Sequence, residues 1–287
     1  MGSAQPLFIE ICAGHVATSL ALAGRPPPAS RQGSKRAFAD AILRRFSLQR
    51  GQGADFDYLW ADADLGVQNY LTALSDAEFR EQVLLELEPF SWHDPMDDLR
   101  PLYRQQEALG AFTKVSPSEC ARYLFLLQGA FSNRSPFAGE GRVNAKHWAK
   151  HHRPDMTCLG ITLNAGAHSA KLLTDQTPIP RASIAGEIKL LDLGGRRVYT
   201  YIDPPYVKTT KYIHDLSRAQ VVETALHYAQ FGPVLVSEGE PIEELIQLGW
   251  TAENIYEEGV GRRRAMSSIG DQTKLVEWIT VFNPSEE

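Results

Sequence analysis

The stretch Arg197-Val198-Tyr199-Thr200-Tyr201-Ile202 is a short run of β-branched and aromatic residues. Such a run reads as a buried strand. Asp203-Pro204-Pro205-Tyr206 follows it directly. Neither proline can donate to a ladder, so the strand has to stop there. A carboxylate, two rigid residues and an aromatic ring are then presented at a strand's carboxyl end. In an open α/β sheet that edge is where ligands bind. The same four residues also suit an ordinary turn in which the Tyr206 ring simply packs.

The group suits methylation of an exocyclic amine. Such a nitrogen is a poor nucleophile because its lone pair is delocalised into the ring. Asp203 can accept one N–H, and the Pro204 carbonyl, freed from the ladder, can accept the other. Both contacts favour a pyramidal nitrogen and stabilise the charge that develops on it. Tyr206 can stack on a base swung out of a duplex.

The rest of the chain supplies strands and helices in alternation. Leu7 to Ile11 reads as a first strand, and Cys12-Ala13-Gly14-His15 as a tight turn into the small-residue segment Val16 to Gly24. That is either the opening of a cofactor site or an ordinary βα corner. After a proline-rich stretch, Gln32-Gly33-Ser34-Lys35 precedes a helical pattern from Ala37 to Phe46. Free N–H groups and a lysine there suit a carboxylate or phosphate, or only a solvated cap. Phe56 to Ala61 reads as a second strand closed by Asp62-Ala63-Asp64. An acid at that position can hold a ribose diol, with Asp62 the better placed, or both acids can cap the next helix. That helix is expected over Leu65 to Leu87.

From Ser91 to about Ile184 strand signals thin out. One helix is expected from Ser118, as N-cap, through Gln128. Between Arg134 and Arg153 the chain carries Arg134, Arg142, Lys146, Lys150 and Arg153 against one acid, Glu140. In a chain of net charge −6 this reversal is either a nucleic-acid face or a solvated helix face. His147 and His151 stand four apart, but no acid or thiol accompanies them, so no metal site is expected. After the Asp203 strand comes a loop with Lys208 and Lys211, then a helix capped by Ser217. Val234 to Ser237 reads as a buried strand, Pro241 opens a helix, and Asn254 to Tyr256 and Leu275 to Phe282 read as the last strands. Between those two lies a glycine-hinged loop with Arg262, Arg263 and Arg264, a phosphate clamp or merely solvated arginine.

At 287 residues the chain is long enough for one large core plus an insert. No apolar run is long enough to span a bilayer, and the first residues lack the basic start and apolar stretch of a signal peptide. Cys12, Cys120 and Cys158 are few, odd in number and widely spaced, which fits a reducing cytoplasm and no zinc site.

Taken together these segments resemble the Dam-type DNA adenine-N6 methyltransferases, which use S-adenosylmethionine. Asp203-Pro204-Pro205-Tyr206 matches the catalytic tetrad of that family. Phe8-Ile9-Glu10-Ile11-Cys12-Ala13-Gly14 resembles its first cofactor motif, and Ala61-Asp62-Ala63-Asp64 its ribose-binding acid. Gly33-Ser34-Lys35 resembles its glycine-lysine motif, and Phe131 to Gly139 the start of its target-recognition insert. Two departures are visible. The glycine-lysine motif usually precedes the first cofactor strand, and here it follows. The usual Pro-Phe after the motif's acid is Ile11-Cys12.

The resemblance implies an α/β fold: a Rossmann-like class I methyltransferase core with a mixed seven-stranded sheet whose last strand is antiparallel. Residues 1–90 and 185–287 would build that core, around a mainly helical target-recognition insert at 91–184. It implies a cofactor site at Phe8, Glu10, Ile11, Cys12, Ala13, Gly14, Gln32, Gly33, Lys35, Asp62 and Asp203, and no metal. Its partner would be double-stranded DNA, held by Arg134, Arg142, Lys146, Lys150, Lys208, Lys211 and Arg262 to Arg264; a cognate restriction enzyme is a further partner it allows. Two alternatives share the core: a catalytically silent methyltransferase-like DNA-binding module, and an RNA or protein amine methyltransferase.

Overall fold

The computed structural model describes residues 5–27, 34–91, 100–129, 178–179, 181–186, 193, 195–206, 214, 216–259 and 276–284. They form an α/β structure around one mixed sheet of seven strands. In chain order the strands are β1 (Leu7–Ile11), β2 (Asp57–Ala61), β3 (Ala182–Ala185), β4 (Val198–Ile202), β5 (Val234–Glu238), β6 (Thr251–Asn254) and β7 (Trp278–Phe282). Their order across the sheet is β3-β2-β1-β4-β5-β7-β6. All pairs from β3 to β5 are parallel, and β7 runs antiparallel to both of its neighbours. This is compatible with a Rossmann-like fold, with the antiparallel strand that the sequence led us to expect. Strand order reverses between β1 and β4, so a crevice opens above their carboxyl ends.

Side-chain alternation divides the sheet into two faces. Phe8, Tyr199, Tyr201, Leu235, Ile279 and Val281 join one apolar core. Helices α1 (Ala17–Leu22), α2 (Ala39–Arg45), α3 (Leu65–Ser75), α4 (Ala77–Ser91), α5 (Arg100–Ala108) and α6 (Pro117–Gly129) contribute to that core. Leu7, Ile9, Ile11, Val198, Ile202, Val234 and Val236 join the other core, under α7 (Arg218–Tyr228) and α8 (Glu243–Ile246). Strands covered on both faces need mostly apolar runs, which β1, β4 and β5 have, with Glu10, Thr200 and Ser237 as buried exceptions.

The described part of the 91–184 stretch joins this body. Helix α6 carries Cys120, Tyr123, Leu124 and Leu127 into the first core, and β3 pairs with β2 at the sheet edge. Residues 130–177 lie outside the described residues.

Local chemistry accounts for the places where elements differ from expectation. The helix read as running from Leu65 to Leu87 breaks at Asp76, which is extended, and whose carboxylate accepts from the Phe79 N–H at 3.0 Å to start α4. Helix α6 begins at Pro117, and its cap is Ser116 rather than Ser118, with Ser116 Oγ accepting from the Glu119 N–H at 3.4 Å. Strand β6 stops at Asn254 because that side chain accepts from the Tyr256 N–H at 2.9 Å, turning the chain before Tyr256. Ser217 caps α7 as expected, and together with Gln220 it forms a capping box.

The end of β6 is tied back to α2. Arg45 donates to Glu253 at 3.1 and 2.8 Å and to Glu258 at 2.7 Å, and the latter bonds hold the Glu258 carboxyl down to about 2. Gly259 then passes so close to Phe38 that an added Cβ would lie 2.7 Å from the ring. Among the described residues no helix is long and apolar enough to cross a membrane.

Candidate active site

The turn after β1 is backbone-driven. Cys12, Gly14 and Val16 all have positive φ, at 53°, 49° and 46°. Gly14 adopts this freely, but a thiol-bearing and a β-branched residue each pay about 1–2 kcal/mol. The surrounding hydrogen bonds offset that strain. The Ala13 N–H donates to Ala61 O at 2.9 Å, and the Gly14 N–H to Asp62 Oδ2 at 2.9 Å. Asp62 Oδ1 accepts from the Asp64 N–H at 2.9 Å, and Asp64 Oδ1 accepts from Gly66 to cap α3. One carboxylate thus joins the turns after β1 and β2, while Asp64 is the cap.

Beneath that turn lies Glu10. It shares the face of Phe8 and is only 3% exposed. Its Oε2 accepts from the Ser19 N–H at 3.0 Å and from Ser19 Oγ at 2.6 Å, and Ser19 Oγ accepts in turn from Trp60 Nε1 at 3.0 Å. Burial pushes the Glu10 carboxyl up to about 7, although the Ser19 bonds pull the other way.

The register places Asp203 on the same face. Tyr199, Tyr201 and Asp203 alternate along one side of β4, and Glu10 pairs with Tyr201. On β7, Glu277 continues the alternation of Val281 and Ile279, and because β7 is antiparallel its start reaches the same sheet edge. The single helical turn Lys35–Ala37 brings Lys35 in from outside the sheet. Its Nζ lies 2.8 Å from Asp203 Oδ1 and 3.7 Å from Glu277 Oε1, and 4.7 Å from the centre of the Tyr206 ring. The Tyr206 hydroxyl donates to Glu277 Oε1 at 2.5 Å, and the Tyr201 and Ser237 hydroxyls bond at 2.7 Å. Ser34 Oγ, next to Lys35, is buried with no partner among the described residues.

The electrostatics follow from this packing. Burial works against the Lys35 charge, but Asp203 and Glu277 outweigh it and hold the ammonium protonated. Burial pushes the Asp203 carboxyl up to about 6; Lys35 draws it down and Glu277 pushes it further up. Asp203 is therefore mostly ionised at pH 7. Without Lys35, burial and neighbouring acids would keep it protonated. The Cys12 thiol is pushed up by burial and by Asp62 and Asp203, so it is not a thiolate at neutral pH.

Residues far apart in the sequence thus meet at one sheet edge: Glu10, Cys12, Gly14, Lys35, Asp62, Asp203 and Tyr206. Phe8 and Ile11 belong to opposite cores, so their side chains pack rather than line this edge. Ala13 and Pro204 are buried beside it, and Pro205 is half-buried. Gln32, Gly33, Arg134, Arg142, Lys146, Lys150, Lys208, Lys211, Arg262, Arg263 and Arg264 lie outside the described residues. Ser19, Ser237 and Glu277 belong to the arrangement but were not singled out from sequence. For Glu277 a signal existed: it is an acid in phase with the inward-facing Ile279 and Val281.

No family model matches the chain, and no curated protein matches it.

Proposed function

We propose that this chain is an S-adenosylmethionine-dependent DNA adenine-N6 methyltransferase acting on an adenine flipped out of the duplex. The observation that carries the reading is the Lys35–Asp203 contact of 2.8 Å above the Tyr206 ring. The glycine-lysine segment stands on the unusual side of the first strand in sequence, yet its lysine reaches the tetrad in space. Chain order is therefore no obstacle to the resemblance.

In this reading Asp203 is the acceptor for the exocyclic amine. Lys35 keeps it ionised despite burial and occupies Oδ1, which leaves Oδ2 for one amine N–H. The Pro204 carbonyl accepts the other. Two acceptors draw the nitrogen lone pair out of conjugation and stabilise the positive charge formed as the new bond grows. Lys35 covers one face of the Tyr206 ring, so the base stacks on the other.

The residues at this edge fit the cofactor. Two carboxyl groups, Asp203 and Glu277, face one ammonium among the described residues, an acid excess that suits a cationic ligand. Asp62 stands at the end of β2, where a ribose diol would be held, and the Gly14 turn beside it lets backbone approach closely. When bound, S-adenosylmethionine supplies a methyl group activated by its sulfonium. Alignment and charge stabilisation are the work of the chain's own residues.

Adenine is favoured over cytosine because an acid leads the tetrad; in the resembling family's cytosine-N4 relatives a serine more often stands there. Equilibrium binding of labelled duplex DNA and duplex RNA, with and without cofactor, separates the readings. A methyltransferase of this kind binds duplex DNA and takes up cofactor. A silent module binds DNA without taking up cofactor. An RNA or protein methyltransferase takes up cofactor but does not prefer DNA.

A further inference from the structure

Glu277 has no place in the tetrad, yet two groups of the site, Tyr206 and Lys35, converge on it. It is 7% exposed and accepts the Tyr206 hydroxyl proton at 2.5 Å. The same Oε1 lies 3.7 Å from Lys35 Nζ, and that ammonium stands over the Tyr206 ring and bonds Asp203. A tyrosine following two prolines has its backbone constrained, but its ring still chooses among rotamers. Glu277 fixes that choice from the residue just before β7, as a charged acceptor that holds both the hydroxyl and the cation above the ring.

We propose that Glu277 is a positioning residue of this site, acting through Tyr206 and Lys35 to set the stacking ring and the Asp203 acceptor in register. What the ring then stacks on rests on the methyltransferase reading; the positioning itself does not. Chemically, Glu277 is the fixed end of a chain running Asp203, Lys35, Glu277, Tyr206. Its charge holds Lys35 between two carboxylates, and Asp203 senses that charge directly.

Among the described residues, groups from several elements face Asp203. They are Glu10 and Cys12 from β1 and its turn, Lys35 from before α2, Tyr201 from β4, Tyr206 from the following segment, Glu238 from β5 and Glu277 from β7. Glu277→Gln removes one negative charge from this set and keeps an oxygen for the Tyr206 hydroxyl. Asp203 then becomes a stronger acid.

The test uses the full chain labelled with carboxyl-¹³C aspartate, Asp203 being assigned with D203N. In the native protein the Asp203 midpoint is expected at about 6, raised by burial. In E277Q it falls by about one pH unit, a change that a purely structural role would not produce. In parallel, single-turnover methyl transfer is measured for Y206F, E277Q and the double variant. Each single change is expected to slow transfer about tenfold, and the double variant to be no slower than the worse single one. An unmoved midpoint, or losses that multiply, overturns the proposal. A native protein that transfers no methyl group, together with a midpoint that falls in E277Q, overturns the function and supports the positioning role.

Discussion

Replacing Lys35 by Met is expected to move the pH at which the site works rather than abolish it. The Lys35 ammonium lies 2.8 Å from Asp203 Oδ1, and the two side chains are 8% and 20% exposed. At an effective dielectric of about 20, unit charges at that distance interact by about 6 kcal/mol, an upper bound before solvent and structure relax. Opposite charges this close shift a carboxyl by about 1–3 pH units in practice. Taking about 2 units, the Asp203 midpoint rises from about 6 to about 8 when Lys35 is lost. At pH 7 the ionised fraction falls from about nine-tenths to about one-tenth, so kcat/KM drops about tenfold there. At pH 9 most of the loss is recovered, because Asp203 ionises again. The assay is kcat/KM for methyl transfer in native and K35M protein from pH 5.5 to 9.5, with thermal unfolding at each pH to correct for folding. A loss of the same factor at pH 7 and pH 9 would refute the argument, since it would mean that Lys35 does not act through the charge on Asp203.

Other expectations follow from the same geometry. Asp203→Ala removes the acceptor at a strand end, and single-turnover transfer at saturating cofactor is expected to fall about 10²–10³-fold; a near-native rate contradicts the assignment. Asp62→Ala breaks backbone bonds to both Gly14 and Asp64, so it is expected to weaken cofactor binding in calorimetry and to cost about 2–3 kcal/mol in urea unfolding. Unchanged values for both would reassign Asp62. Glu10 binds its proton more tightly folded than unfolded, with a carboxyl at about 7 against an ordinary 4.5. Its contribution to stability is therefore complete below about pH 4.5, declines as pH rises to about 7 and is flat above; the drop is about 3 kcal/mol. Urea unfolding at pH 5 and 8 is expected to show that drop in the native protein and a shallower one in Glu10→Gln, and equal slopes would contradict it.

Much of the central sheet was legible before any coordinates. Strands β1, β2, β4 and β5 are mostly apolar or β-branched runs, broken only by residues such as Glu10, Asp57 and Ser237, and burial on both faces leaves little else they could be. The carboxyl-edge position of Asp203 followed from two prolines stopping a strand. What escaped was set by tertiary contact. Strand β3 is four residues, Ala-Ser-Ile-Ala, and exists because β2 offers it an edge. Asp76 looked like one more polar residue in a helix, although it caps the next one. Lys35 could be placed near a ligand but not against Asp203, because nothing in the chain order brings residue 35 to residue 203. Glu277 had the right alternation, but its meaning depended on β7 running antiparallel with its start at the sheet edge that carries Asp203.

The central claim is that the Lys35–Asp203–Tyr206 edge transfers a methyl group to adenine in duplex DNA. The direct measurement is to incubate the full chain with duplex DNA of random sequence and S-adenosylmethionine carrying a deuterated methyl group. The DNA is then digested to nucleosides, and the modified base is identified by mass spectrometry. The account predicts labelled N6-methyldeoxyadenosine from the native protein and none from the Asp203→Ala variant. Label found in N4-methyldeoxycytidine would contradict the base assignment, and a DNA fraction that carries no label at all would contradict the claim itself.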